Sequence, residues 1–349
     1  MRLGVSLGYA LGRDITGLVA YVRAAEDLGY SVAWAAEAYG SDTVSVLGYL
    51  AACTQRIDLG AGVLQIPARS PAMTAMTAAS LDLLSGGRFR LGLGVSGPQV
   101  SEGWHGVRFG QPLARTREYV EVVRCALDGQ LVRHDGRFYP LPLPDGPGKA
   151  LKLGVHPVRP QIPVYLAAMG PRNLELTGEV ADGWLAIFLA PDHAAGQRAA
   201  LRRGRARAGR SGAGFDIAAS VAVAVGPDVA ECADAVRPYA ALYVGGMGSR
   251  ELNFYNRQAT AMGYEKEAAA VQDSYLAGRH REAMAALPMG FLDATSLLGP
   301  RQRVVDRLHE FAAAGVTTLT VTAFGSTTDE RVATLRAVAE ALDESGLGD

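Results

Sequence analysis

Eight times along this chain a short apolar run gives way to a helix-periodic segment, and that alternation restricts the fold more than any other feature. The runs lie at 3–9, 32–36, 57–66, 89–95, 164–168, 184–189, 216–225 and 316–324. Helix starts between them carry recognisable caps. Asp14 precedes Ile15, Leu18, Val19 and Val22 at i, i+3, i+4, i+7 spacing, and Gly29 stops that segment. Asp42 opens a helix to about residue 55, and Ser70-Pro71 joins an N-cap to proline at the first helical position, with Gly86-Gly87 as the stop. Strand then helix, eight times over, is the pattern of a closed α/β (β/α)8 TIM barrel; an open doubly wound sheet is the rival. The 349 residues, 49% hydrophobic, fit one large domain without a linker. Three stretches break the rhythm and read as insertions: 97–112, 129–161 (with HDGRFYPLPLPDG, a ribbon or irregular excursion) and 250–298, where 250–286 holds two or three polar helices with no strand.

Composition removes several function classes. A net charge of −1 offers no basic field for nucleic acid. The arginine run 198–210 reads as the solvated face of a helix. Three widely spaced cysteines, Cys53, Cys125 and Cys232, read as buried thiols in a reducing compartment, so the expected location is cytoplasmic. No stretch reaches the ~20 apolar residues that span a bilayer, so no membrane partner is expected. The six histidines show no H-x-x-x-H spacing and the cysteines no C-x-x-C, so no metal is expected. Ser96 stands in V-S-G-P and not in a nucleophile elbow.

The most informative single stretch is FRLGLGVSGPQVSEGWHG, 89–106. Leu91, Leu93 and Val95 alternate with Gly92 and Gly94, so one face of this strand is branched and the other bare. A bare face is tolerated where a backbone or ligand comes close. Gly92-Leu-Gly94-Val-Ser-Gly97 also matches the dinucleotide fingerprint G-x-G-x-x-G. That motif requires a helix at once, to face the pyrophosphate. Here Pro98 and Pro112 bracket about fifteen residues before the next periodic segment at 113, so the match reads as coincidence.

A barrel gathers its chemistry at the C-terminal tips of the strands. The candidates there are Gly8 and Tyr9, Glu37, Gly62 to Gln65 with Val63 between, Val95, Ser96 and Gly97, then Ala168, Met169, Gly170 and Arg172, and 184–188. Gly170-Pro171 ends a strand and starts a helix, exposing backbone N–H groups that suit a phosphate, with Arg172 adding charge; an ordinary βα turn would look the same. Glu37 could bond a cofactor ring, hold a proton, or be a surface loop acid. Trp104 and His105 could roof the site and stack on a flat ligand, or pack their loop against the rim.

LGVSLGY, AWAAE, GAGVLQIPARSP, LGLGVSGPQVSEGWHG, AAMGPRN and the stretch from FYNRQATAMGYEKEAAAVQDSYLAG to LLGPRQRVVDRLHEFAAAGVTTL together resemble the bacterial-luciferase-like superfamily, in its actinobacterial branch of coenzyme F420-dependent oxidoreductases. The likeness covers nearly the whole chain. It implies a barrel holding an 8-hydroxy-5-deazaflavin at its strand tips, and a non-prolyl cis peptide in the third strand, by position at Gly62–Val63. It also implies Glu37 near the ring, Gln65 and Val95 to Gly97 along ring and ribityl chain, and Ala168 to Gly170 on the phosphate. Relatives that oxidise a sugar phosphate carry a histidine after the second strand's acid, where this chain has Ala38, and a glutamate after the fourth strand, where it has Gly97-Pro98-Gln99. The sugar-phosphate activity is therefore not expected, and the proton donor falls to Glu102 or His105. The implied reaction is hydride transfer between coenzyme F420 and a small C=C, C=N or carbonyl/alcohol substrate. An FMN-dependent monooxygenase and a non-catalytic cofactor-storage or sensor protein are the alternatives. A homodimer through the second and third helices is implied too. Phe254, Tyr255, Met262, Met289, Phe291 and Leu292 suggest an apolar chamber over the site.

Overall fold

Parallel strands close on themselves in a ring. The computed structural model describes residues 1–8, 14–211 and 214–348. Among these the strands are β1 (Arg2–Ser6), β2 (Val32–Ala35), β3 (Asp58–Ala61), β4 (Leu64–Gln65), β5 (Phe89–Gly94), β6 (Val164–Ala167), β7 (Gly183–Ile187), β8 (Asp216–Val225), β9 (Ser296–Gly299) and β10 (Thr318–Ala323). Neighbours run β1-β2-β3-β5-β6-β7-β8, and β10 shuts the ring by pairing with β8 (Thr318 beside Ala218) and with β1 (Thr318 beside Arg2). Closure excludes the open doubly wound sheet and establishes the eight-stranded parallel barrel. β4 continues the line of β3 and pairs with β5, while β9 pairs with the outer half of β8 at Ala222–Val225.

The caps expected from sequence hold the outer helices in place. Asp14 accepts from the Gly17 N–H at 2.8 Å, Asp42 from Ser45 at 2.8 Å and Ser70 from Met73 at 3.1 Å. Each such cap contributes about 1 kcal/mol. The helices lay apolar stripes on the barrel, and the core runs continuously from Val5 and Leu59 to Leu319 and Val321. Among the described residues no helix is long and apolar enough to cross a membrane, and no group of histidine, cysteine or acidic residues could hold a metal ion.

Inside the barrel, Trp34 lies edge-on to Tyr165 with ring centres 5.2 Å apart. A Cβ on Gly60 would fall 2.2 Å from the Trp34 ring, so this glycine is bare to admit the indole. Below them Arg90 bonds Asp58 at 2.7 Å and Asp216 at 3.4 Å, and the Tyr165 hydroxyl donates to Asp216 at 2.9 Å. This cluster plugs the N-terminal end of the barrel.

The structure departs from the expected elements in several places. The third run is split into β3 and β4, which stand on either side of Gly62–Val63; that peptide is cis, as the resemblance implied. A short helix, Pro98–Gly103, starts directly after Gly97, because proline pre-sets the first helical dihedral. Over 250–286 the three helices Phe254–Ala261, Glu265–Leu276 and His280–Ala285 agree with the expectation; a fourth, Met289–Thr295, and β9 after it were not expected, since four residues are too few to show a strand period. The excursion 129–161 is almost wholly irregular, with one bridge between His134 and Leu141. The arginine run is more than a solvated face: Arg203 and Arg207 pair with Glu175, and Arg210 with Asp182. Cys232 is buried, while Cys53 and Cys125 are only partly covered; all three are free.

Candidate active site

The C-terminal strand tips surround a cleft of about 280 Å³, and a second lobe of about 530 Å³ opens beside it, sharing Ala168, Met169, Ile187 and Phe254. Both volumes are of the size that holds small molecules and cofactors. One wall is set by the broken third strand. The Val63 side chain leans against Gly94, where an added Cβ would sit 2.7 Å from Val63 Cγ2. One step earlier, a Cβ on Gly92 would meet the Ala61 carbonyl oxygen at 1.9 Å. The bare face read from the sequence therefore serves close strand approach at Gly92 and the seating of Val63 at Gly94. What faces the cleft is Val63 itself, together with Gly94, Val95, Ser96 and Gly97. Ser96 has a φ of 60°, an uncommon conformation for a residue with a side chain, and it turns the strand into the loop above.

Glu37 lines the cleft at the end of β2, and its carboxylate is committed to a partner. Arg69 meets it with both guanidinium nitrogens, Nη1 to Oε2 at 2.5 Å and Nη2 to Oε1 at 2.8 Å, and also reaches Asp42 at 3.0 Å. The Gln65 backbone N–H donates to Glu37 Oε2 at 3.3 Å. Burial opposes the Arg69 cation, but the hydrogen bond and charge of Glu37, with the charge of Asp42, outweigh it and raise its pKa. Asp42 is likewise penalised by burial yet held below its ordinary range by the Ser45 hydroxyl and N–H and by Arg69. Three of the roughly four acceptor positions on the Glu37 carboxylate are taken. With Arg69 and the Gln65 N–H already on it, the Glu37 carboxylate keeps one acceptor position at the cleft.

The phosphate-type element lies across the cleft. Gly170, with φ of 78°, caps the helix Pro171–Val180 without any side-chain cap, so the N–H groups of its first turn have no intrahelical partner. Trp184 Nε1 donates to the Ala168 carbonyl at 2.9 Å and fixes this turn. Gly170 faces the larger lobe; the Arg172 side chain is exposed and does not line it.

The opposite wall comes from 242–262. The helix Val229–Ala241 ends in a π-type turn, Leu242–Gly246, and the Asn253 amide donates to the carbonyls of Tyr243 and Val244 at 3.0 Å each. That presents Gly246 to Gly248, Phe254 and Tyr255 to the cleft. Gln258 donates to the Ile187 and Phe188 carbonyls at 3.3 and 2.5 Å, bolting the helix Phe254–Ala261 to the tip of β7.

Of the residues singled out from sequence, Glu37, Val63, Gln65, Val95, Ser96, Gly97, Ala168 and Met169 meet in the cleft, and Met169 and Gly170 in the second lobe. Gly62 lies behind Val63, against Trp34. Gly8 is exposed and lines neither lobe, and Tyr9 is outside the described residues. Glu102 is turned away and accepts the Phe109 N–H of its own loop at 2.9 Å. His105 stands behind Gln65, and Trp104 is two-thirds exposed; neither touches the cleft. Of the apolar chamber, Phe254, Tyr255 and Met262 line the lobes, whereas Phe291 and Leu292 are fully buried in the core beneath them and Met289 packs against that core. Sequence reasoning missed Arg69, Gln99, Asn173 and Met247. Arg69 carried a signal, since it precedes an N-cap directly after the third strand's turn; Gln99 and Asn173, in the first turns of the helices Pro98–Gly103 and Pro171–Val180, carry none.

The luciferase-like monooxygenase profile matches residues 1–318. The chain belongs to the luciferase-like monooxygenase family. Within it, the chain is 43% identical over 330 residues to a putative coenzyme F420-dependent oxidoreductase of Mycobacterium tuberculosis, covering 93% of this chain and 95% of that one. It is 31% identical over 298 residues to a 5,10-methylenetetrahydromethanopterin reductase of Archaeoglobus fulgidus, covering 85% and 86%. The structure of a coenzyme F420-dependent tetrahydromethanopterin reductase from Methanopyrus kandleri superposes with a TM-score of 0.83 at 25% identity, over 97% of each chain. The Methanopyrus structure thus shares the barrel over nearly the whole of both chains.

Proposed function

We propose that this family member is a coenzyme F420-dependent oxidoreductase that moves a hydride between the deazaflavin and a small organic substrate with a C=C, C=N or carbonyl/alcohol group. The observation that carries the reading is the wall of the cleft: Val63 seated on Gly94 offers a flat apolar backing, and Glu37, held by both guanidinium nitrogens of Arg69, offers an acceptor at its edge. Such a wall fits a planar heterocycle with N–H donors. The uncapped helix at Gly170 fits the phosphate beyond it. When bound, the deazaflavin supplies the two-electron hydride chemistry.

The chain's own residues bind, orient and exclude water. Val63 and Val95 back the ring, Glu37 and Gln65 fix its edge, and Ser96 and Gly97 flank its chain. Ala168, Met169 and Gly170 hold the phosphate, with Arg172 supplying charge from outside the lobe. The substrate faces Tyr39, Phe254, Tyr255 and Met247, where Ala38 leaves room that a histidine would fill. Any proton is delivered by a hydroxyl on that side; Glu102 and His105 do not line the cleft. The insertions roof one domain, the chain works in the cytoplasm, and two copies pair through the apolar faces of the helices Thr43–Cys53 and Pro71–Leu84, which expose Tyr49, Met73, Met76, Leu83 and Leu84. Calorimetric titration with F420 and FMN, oxidised and reduced, tests the cofactor. Saturable heat with the deazaflavin and anaerobic turnover of an unsaturated acceptor are expected. Oxygen-dependent product formed with FMN, or tight binding with no turnover on any acceptor, would overturn the reading.

A further inference from the structure

We propose that Gln65 is a positioning residue that latches the loop 96–111 onto the cleft through His105, and that it fixes His105 in the tautomer with its proton on Nε2. Gln65 is 2% exposed, and every polar atom of its side chain is assigned. The amide nitrogen donates to the carbonyls of Glu37 and Ala38, both at 2.9 Å. Turning the amide over would set its oxygen against two carbonyl oxygens, so the orientation follows from chemistry. Oε1 is then an acceptor only. Its partner, 3.1 Å away, is His105 Nε2, which must therefore be the donor.

The consequence lies in what this bond joins. Within 98–110 the other side-chain hydrogen bonds close on the loop itself, Ser101 Oγ to the Val107 carbonyl at 2.6 Å and Phe109 N–H to Glu102 at 2.9 Å, as does His105 N–H to the Val100 carbonyl at 3.1 Å; at the far end Gln111 Oε1 accepts from Arg137 of the irregular excursion at 3.2 Å. Among the described residues, His105 makes the side-chain hydrogen bond that ties 98–110 to the barrel. On the barrel side, Gln65 bridges the turn after β2 and, through its backbone register with Gly94, the end of β5. Gln99 and Val100 belong to the same loop and roof the cleft. Holding His105 holds that roof.

The effect on cofactor residence rests on the function proposed above; the latch itself does not, so the test begins without cofactor. Hydrogen–deuterium exchange of the apo protein is compared with His105→Ala and His105→Gln. Half-buried His105 is the position to vary, because Gln65 is too enclosed to change safely. In His105→Ala, exchange across 98–110 should speed about fivefold, the worth of one ordinary hydrogen bond, with the barrel strands unchanged. His105→Gln, which can donate to the same oxygen, should recover part of the protection. Nitrogen-15 NMR of the wild type should show a proton on Nε2. With the deazaflavin bound, His105→Ala should raise the dissociation rate by a similar factor and change KM more than kcat. Unchanged exchange across 98–110, or a ring protonated on Nδ1 alone, would overturn the latch. An intact latch in a protein that binds no deazaflavin would instead overturn the function and leave the latch standing.

Discussion

Each end of the barrel buries an arginine against carboxylates, and the two ends differ in how completely the acceptors are used. At the N-terminal end Asp216 accepts from Arg90, from the Tyr165 hydroxyl, and from Thr317 and Thr318 at 2.5 and 2.8 Å, and it pairs with the Arg2 cation at 3.2 Å. Four donors fill the acceptor positions of a carboxylate, and nothing is left for a ligand. At the C-terminal end Glu37 meets three donors and keeps one acceptor position on a carboxylate that lines the cleft. A saturated cluster stabilises; an unsaturated one of the same chemistry can bind.

The sharpest break of that comparison is Asp216→Ala. It strips Arg90 and Tyr165 of a shared, buried acceptor, and the cost expected for breaking such a pair is about 3–5 kcal/mol. Urea unfolding should show that loss, while the protein that remains folded binds deazaflavin as tightly as the wild type. A collapse of binding in the folded fraction would mean that the two ends are not separable.

Glu37→Gln tests the other end. The shape is kept and the charge facing Arg69 is lost, so the acceptor edge of the cleft weakens. The expected outcome is about a thirtyfold rise in the deazaflavin Kd, or roughly 2 kcal/mol, with a smaller loss of stability than in Asp216→Ala because glutamine keeps an oxygen that accepts from Arg69. Equal Kd and equal turnover would make Glu37 a structural residue only.

The same contrast explains what could be read in advance. Strands and caps follow from local patterns: period-two runs, Asp14, Asp42, Ser70-Pro71. The barrel followed from their order. Glu37 and Gln65 could be placed at strand tips, but neither Arg69 on one nor His105 on the other is a sequence-local fact, because the partners lie 32 and 40 residues away. The wall at 242–262 was the least legible. It depends on a π-type turn whose freed carbonyls are collected by Asn253, and no periodicity announces that. Glu102 misled for the converse reason: an acid after a strand tip looks catalytic until its own loop claims it.

A finer test separates the two uses of glycine in β5. Gly94→Ala places a methyl 2.7 Å from Val63 Cγ2, and the moving part is the side chain that faces the cleft. Affinity for the deazaflavin should fall about tenfold, with the fold retained. Val63→Ala alone should cost about fivefold, since it thins the wall behind the ring. The double variant should bind better than Gly94→Ala alone, because trimming Val63 removes the clash; that coupling is read from the cycle of the four Kd values. Additive losses would mean that Val63 does not transmit the change and that Gly94 is bare for some other neighbour. Gly92 has no such remedy: trimming Leu185, whose Cδ1 lies 2.8 Å away, would leave the Ala61 carbonyl oxygen at 1.9 Å, a backbone atom of the adjoining strand. A successful rescue at Gly94 would therefore assign one glycine of the pair to the ligand wall and the other to the barrel.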